Sequence, residues 1–113
     1  MAVTNFIDRI RIGDSTDEIA IGSSAYGECD TAAGTKAKTV NIPGFVLNKG
    51  TTIYVKFINR NSASNPTLNV SNTGAIAIMQ YGGTAAGTTD STTGWYAGAV
   101  VPLTYDGTNW VKT

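Results

Sequence analysis

The stretch TTIYVKFI, residues 51–58, is the clearest indication of structure in this chain. Its apolar side chains alternate with polar or amphipathic ones, which places Ile53, Val55 and Phe57 on one face of an extended segment. Successive side chains of a β-strand point to opposite faces, so a period of two is typical of a strand with one face in the core. The stretch therefore predicts a half-buried β-strand.

Shorter patterns of the same kind occur on both sides of this strand and are separated by turn-forming residues. They predict further strands at residues 6–12, 18–21, 40–42, 68–70, 76–78, 95–105 and 110–111. Residues 82–94 carry small side chains with no apolar period and are predicted to form a mobile or partner-shaped loop. Because no segment of helical length is amphipathic, we expect an all-β fold. Its predicted form is a β-sandwich or jelly-roll-like domain of roughly seven to eight short antiparallel strands.

The N-terminal segment is predicted to be separate from this domain. Residues 6–21 have the pattern of a β-hairpin, and Gly-Ser-Ser at 22–24 follows it. One face of the hairpin carries Ile10, Ile12, Ile19 and Ile21. A two-stranded hairpin is at best marginally stable alone, so this apolar face needs a cover. We therefore expect residues 1–22 to be an assembly element and residues 23–113 to form the β-sandwich module.

The charge balance argues against nucleic acid and membrane as partners. Eight basic and eight acidic residues give a formal net charge of zero, and only 14% of residues are charged. Such a chain has no positive field to hold a phosphate backbone or an anionic bilayer. We also expect no spanning or export segment, and the lone Cys29 suits synthesis in a reducing cytoplasm.

The residue inventory argues against catalysis. The chain has no histidine, which removes the commonest general base, the commonest zinc ligand and every histidine-activated nucleophile. Cys29 lies between Glu28 and Asp30, whose carboxylates oppose thiolate formation. We expect a protein that is not an enzyme and that carries no cofactor and no metal.

Acidic residues leave two weaker alternatives open. Asp14, Asp17 and Glu18 crowd one predicted turn and could coordinate a hard cation, although their spacing fits no EF-hand loop. A solvated turn is the better interpretation. A hydrolase could use acids such as Asp14, Asp17 and Asp90, but the sequence does not give their separation.

Aromatic residues provide the candidate ligand site. Flat rings flanked by amides and hydroxyls can stack on sugars. The candidate residues are Tyr54, Tyr81, Trp95, Tyr96 and Trp110. The competing interpretation places the two tryptophans in the core, as is common in small β domains.

From Tyr26 onward the chain resembles a module of tail-fibre, baseplate and head-fibre proteins of tailed bacteriophages. The most specific matching segments are Pro-Thr-Leu-Asn-Val at 66–70 and Tyr-Asp-Gly-Thr-Asn-Trp at 105–110. Weaker matches include Val-Lys-Phe at 55–57 and Trp-Tyr-Ala-Gly at 95–98.

This resemblance implies a phage virion structural protein, either a head-fibre or decoration protein or a tail-fibre or baseplate component. Such a protein would be made in the bacterial host cytoplasm and incorporated into the virion. The implied partners are further copies of the chain, with a homotrimer as the expected state, and other virion proteins. The resemblance identifies no ligand. The candidate aromatic residues and the neighbouring amides suggest bacterial surface glycan as a further partner, so the alternative function is a carbohydrate-binding module for host recognition.

Overall fold

The computed structural model describes residues 25–81, 83–88 and 93–113, and the regular elements in these ranges are all β-strands. The prediction of an all-β fold is confirmed. The predicted hairpin at residues 6–21 lies outside the described residues, so the boundary of the 1–22 segment stays a prediction. In the ranges described, no helix is long and apolar enough to cross a membrane.

Eight described strands follow one another along the chain and join into one sheet. They are β1 (Tyr26–Cys29), β2 (Ala37–Val40), β3 (Thr52–Phe57), β4 (Thr67–Val70), β5 (Ala75–Tyr81), β6 (Thr84–Ala85), β7 (Ala99–Tyr105) and β8 (Trp110–Lys112). Their order across the sheet is β1-β3-β7-β8-β5-β4-β2, and β6 pairs with β5 beside this path.

The sheet is mixed. Among the described strands, β1 pairs with β3, β2 with β4 and β5 with β8 in parallel, and the other ladders are antiparallel. The sandwich or jelly-roll arrangement and the wholly antiparallel pairing expected from the sequence are therefore not confirmed. Side chains alternate in the same way in both kinds of ladder, so the apolar pattern could not distinguish them.

The sheet curves until its two terminal strands, β1 and β2, lie against each other. A Cβ atom added at Gly27 would lie only 2.7 Å from Val40 Cγ2 and 2.9 Å from Ile42 Cγ1. Glycine allows this approach because it has no side chain to collide with the facing strand. We call the contact between β1 and β2 the seam, and it brings the sheet close to a closed, barrel-like shape.

The core lies inside the curve and is built from alternate residues of the strands. Ile53, Val55 and Phe57 of β3 are all buried, which confirms the prediction made from the 51–58 stretch. The residues that complete the core from other strands include Leu68, Val70, Ile78, Leu103 and Trp110.

Two buried polar side chains stabilise loops by bonding to backbone carbonyls. Lys38 is 1% exposed, and its Nζ donates to the carbonyls of Ala32 and Ala33 at 3.1 Å each. Burial lowers the pKa of Lys38, because desolvation penalises its charged form. Asn61 is also buried, and its Nδ2 donates to the carbonyls of Ala63 and Gly87 at 2.9 and 3.0 Å.

Some element boundaries differ from the sequence predictions. β1 was not predicted from the sequence. β7 begins at Ala99 rather than at residue 95, because residues 96–99 form a turn in which the Ala99 N–H donates to the Tyr96 carbonyl. Gly98 has a φ of 83° in this turn. The predicted loop at 82–94 contains the short strand β6.

Candidate functional site

Trp95 is a core residue and not part of an exposed aromatic platform. Its ring stacks on Phe57 with centroids 4.0 Å apart and an interplanar angle of 22°. Its Nε1 donates to the Asn59 carbonyl at 3.0 Å, which satisfies the one polar atom that burial would otherwise leave unpaired. The interpretation of this tryptophan as a surface residue is therefore wrong.

Trp110 is also in the core. It is fully buried and packs against Tyr105 and Phe45, with ring centroids 5.5 and 6.0 Å away. Its Nε1 is the buried side-chain atom for which the described residues offer no hydrogen-bond partner. Because neither tryptophan presents a ring face to solvent, the competing core interpretation is the correct one for both.

The three candidate tyrosines are not brought together into a platform. Tyr96 is 59% exposed in the turn before β7, whereas Tyr54 is half-buried on the outer face of β3. Tyr81 ends β5, and its side chain lies outside the described part of the structure. Within the described residues, neither Tyr54 nor Tyr96 contacts another aromatic ring.

A polar cleft beside the seam is the better candidate site. Its volume is about 320 Å³, within the low end of the range for small-molecule sites. β1 and the residue after it contribute carboxylates, β2 and the residue after it contribute a hydroxyl and a carboxamide, and β4 with its following turn contributes carboxamides and a hydroxyl. The lining residues are Glu28, Asp30, Thr39, Val40, Asn41, Asn69, Ser71 and Asn72. We call this site the seam cleft.

The turn after β4 holds its end of the seam cleft in one conformation. Ser71 and Asn72 have φ angles of 49° and 63°, in the left-handed region that is costly for most residues with a side chain. Ser71 Oγ accepts from the Ile42 N–H and donates to the Ile42 carbonyl, both at 2.9 Å. These two bonds offset the backbone strain and fix the turn against the end of β2.

Several polar groups of the cleft are available to a ligand. Within the described ranges, the side chains of Asp30, Thr39 and Asn72 have no hydrogen-bond partner. Asn69 Oδ1 accepts from the Gly74 N–H at 3.2 Å, which leaves its amide nitrogen free to donate. The cleft therefore offers carboxylate and hydroxyl acceptors together with carboxamide donors.

Tyr26 does not line the cleft but is connected to it by a hydrogen bond to one of the lining residues, Glu28. It is 44% exposed on the outer face of β1, and its hydroxyl donates to Glu28 Oε2 at 3.1 Å. Partial desolvation, followed by the hydrogen bond to Glu28 and the negative charge of Glu28, raises the pKa of Tyr26. The hydroxyl therefore remains protonated at neutral pH and acts as a donor to the carboxylate.

The electrostatics of the cleft limit what it can bind. Its lining contains two carboxylates and neither lysine nor arginine. Lys56, the ladder neighbour of Glu28, offsets one of these charges, so the net charge of the cleft is negative and disfavours phosphates and other anions. Within the part of the chain that the structure describes, no group of three or more His, Cys, Asp or Glu side chains could hold a metal ion. Cys29 is buried and free. Asp14, Asp17, Glu18 and Asp90, on which the cation and hydrolase alternatives depend, lie outside the described residues.

Most residues of this site were not predicted from the sequence. Glu28 and Asp30 were considered only as neighbours of Cys29, and the residues from β2 and β4 were not considered as ligand-binding residues. The sequence gives their outward positions through alternation, but only the parallel pairing of β2 with β4 places Thr39 beside Asn69.

Comparison with known proteins finds no matching family model, no matching curated protein and no matching solved structure.

Proposed function

We propose that this chain is a phage virion structural protein, a head-fibre or decoration protein or a tail-fibre or baseplate component, that self-assembles and attaches to the particle. It is made in the bacterial cytoplasm, is incorporated into the virion and performs no catalysis. The resemblance of residues 66–70 and 105–110 to phage fibre modules supports this proposal.

Both matching segments have structural roles in the fold. In residues 105–110, Asp106 Oδ1 accepts from the backbone N–H groups of Thr108 and Asn109 at 2.8 and 2.7 Å, which closes the turn between β7 and β8. Residues 66–70 supply β4, in which Leu68 and Val70 are fully buried. Sequence motifs whose role is to stabilise the fold are consistent with a structural protein, whose function depends on a stable shape.

The observation that supports self-assembly is an exposed apolar patch on the outer face of β3 and β7. Val100 is 51% exposed and lies beside Lys56 in the ladder. Ile58 is two residues beyond Lys56 on the same face, and Tyr96 lies in the turn that precedes β7. We call Ile58, Tyr96 and Val100 the β3–β7 patch.

A second copy of the chain is the proposed occupant of this patch. Lys56, the charged residue beside Val100, has Glu28 as its ladder neighbour on β1, so the two charges offset each other. The chain as a whole has a formal net charge of zero. Copies therefore approach without long-range repulsion, and burial of the apolar side chains favours their association. The expected state is a homotrimer, to which residues 1–22 contribute further contacts.

Light scattering on the purified protein tests this proposal. Val100→Lys places a charge in the patch and should convert the oligomer to a monomer, because an unpaired charge is costly to bury. Val46→Lys is the matched control, since Val46 is 66% exposed in the segment between β2 and β3. Tyr96→Ser, in a turn, provides a second patch variant that leaves the strands unchanged.

The expected result is an oligomer for the unmodified protein and for Val46→Lys, and a folded monomer for both patch variants. A wild-type protein that remains monomeric at high micromolar concentration contradicts self-assembly. An oligomer that persists in both patch variants contradicts the assignment of the interface.

Host recognition through bound carbohydrate is the second candidate function. The seam cleft favours it, because the cleft collects hydroxyl, carboxamide and carboxylate groups without a basic residue. The predicted aromatic platform no longer supports it, since Trp95 and Trp110 are buried.

A further inference from the structure

We propose that the seam cleft is a binding site for neutral sugars, with Asp30, Asn72 and Asn69 as the main hydrogen-bonding residues and Tyr26 as the stacking ring. The aromatic residues that the sequence suggested for a carbohydrate site do not line this cleft, although one of them, Tyr54, is the ladder neighbour of Tyr26. A glycan site in the cleft would function in a monomer as well as in an oligomer, so it does not depend on the β3–β7 patch.

The hydrogen-bonding groups of the cleft match a sugar. Neighbouring hydroxyls on a sugar ring both donate and accept. Asp30, whose carboxylate has no protein partner within the described ranges, accepts strongly from hydroxyl donors. Asn72 and the free amide nitrogen of Asn69 supply the donors that sugar oxygens require.

The shape of the cleft is fixed before a ligand arrives. Ser71 is held by its two bonds to Ile42, which positions the neighbouring Asn72. Thr31 Oγ1 accepts from the Thr39 N–H at 3.1 Å, which connects the chain after β1 to β2 across the cleft. A preformed site loses less conformational entropy on binding than one that must order itself.

Tyr26 provides the apolar contact that a sugar ring requires. Its hydroxyl donates to Glu28, a lining residue, and this bond connects the ring to the lining of the cleft. An aromatic face beside a row of polar groups can stack on the C–H face of a sugar while its hydroxyls bond to the cleft.

Other ligand classes fit less well. A divalent cation needs six to eight oxygen ligands at about 2.3–2.6 Å, which requires a much tighter site than a cleft of about 320 Å³. An anionic ligand meets Glu28 and Asp30, and Lys56, the ladder neighbour of Glu28, offsets only one of these two charges. A neutral polyol uses all of these groups without an opposing charge.

Nuclear magnetic resonance titration of the 15N-labelled protein tests the site. The probes are neutral oligosaccharides of glucose, of N-acetylglucosamine and of rhamnose, with calcium chloride and a polyuronate as separate arms. We expect at least one neutral oligosaccharide to shift the backbone amide peaks of residues 28–30, 39–41 and 69–72, with a dissociation constant on the order of 1 mM per site.

Three variants assign the binding to the cleft. Asp30→Ala and Asn72→Gly should each weaken binding about tenfold, as expected for loss of a well-placed hydrogen bond. Glycine is chosen at 72 because it accepts the positive φ of that position. Asn48→Ala removes an exposed carboxamide outside the cleft and should leave the affinity unchanged.

The proposal is overturned if no neutral oligosaccharide shifts the cleft peaks, if calcium alone or the polyuronate does so instead, or if Asn48→Ala weakens binding as much as Asp30→Ala. Light scattering on the same samples reports oligomer formation separately. Loss of the glycan site and loss of assembly are therefore distinguishable.

Discussion

Gly27 is the residue on which closure of the sheet most directly depends, and Gly27→Ala tests it. The new methyl group would lie 2.7 Å from Val40 Cγ2, 2.9 Å from Ile42 Cγ1 and 3.0 Å from the Asn41 carbonyl oxygen. The two side chains can shift by a few tenths of an ångström, but the carbonyl belongs to the backbone and resists displacement.

The expected change in the free energy of unfolding is the difference between a steric cost in the folded state and an entropic gain from the unfolded state. Overpacking a tight site costs about 1–3 kcal/mol. Replacement of glycine by alanine also restricts the unfolded chain, which stabilises the folded state by about 0.4–1 kcal/mol where the backbone accepts alanine. Gly27 has no positive φ, so this gain applies. We expect a net loss of about 1–2 kcal/mol in the free energy of unfolding.

Urea denaturation followed by fluorescence measures this loss, because Trp95 and Trp110 are buried in the folded state. Gly34→Ala is the matched control, since a Cβ at Gly34 would meet only Ser62 Oγ at an ordinary 3.7 Å. Its stability should change by less than about 0.5 kcal/mol or rise slightly.

A double variant isolates the contact at the seam. Val40→Ala removes the nearest atom, so the combined loss for Gly27→Ala and Val40→Ala should be smaller than the sum of the two single losses. If Gly27→Ala proves as stable as Gly34→Ala, β1 and β2 are not in contact as described, and the barrel-like closure is refuted.

Two further substitutions test the loop and turn contacts. Asn61→Asp replaces a doubly donating amide with a buried carboxylate and should reduce the free energy of unfolding by about 3 kcal/mol, whereas Asn48→Asp at an exposed site should change little. Equal urea midpoints for the two variants would contradict this. Hydrogen bonds from the backbone N–H of Asn109 and, to a smaller extent, of Thr108 lower the pKa of Asp106 below its usual 3.8. The ionised carboxylate therefore stabilises the fold above pH 3.8, and this contribution is lost as the pH falls through the lowered pKa. Asp106→Ala should therefore have a lower melting temperature at pH 7, and the gap from the unmodified protein should close in acid; a gap that is independent of pH would refute this role.

The apolar period of two predicted the secondary structure where one face of a strand is buried. Ile53, Val55 and Phe57 gave β3 almost to its ends because their alternation leaves a single choice of inward face. Trp95 was misassigned to a strand, because a buried aromatic residue just before a turn gives the same apolar signal in the sequence as one inside a strand.

The sheet topology could not be predicted in the same way. Pairing β1 with β3 and β2 with β4 in parallel depends on long-range contacts, and side-chain alternation is blind to strand direction. Gly27 illustrates the gap between sequence and structure. In the sequence, Gly27 shows only that a side chain is absent at this position. The structure gives the reason, because Val40, thirteen residues further along the chain, lies directly opposite on the facing strand.

The candidate site shows the same limit. Residue type alone left both a sugar-stacking role and a core role open for Trp95 and Trp110, and the structure buries both in the core. The seam cleft consists of short polar side chains that look ordinary in the sequence. They become a site only when the fold brings three strand segments together.

Immunogold electron microscopy tests most directly whether the chain is a virion protein. Antibodies against the purified protein are applied to phage particles released from the bacterium that encodes it. We predict gold at one fixed position on the particles, on the head or on the tail. Unlabelled particles from a lysate in which the same antibodies detect the free protein would contradict the proposed function.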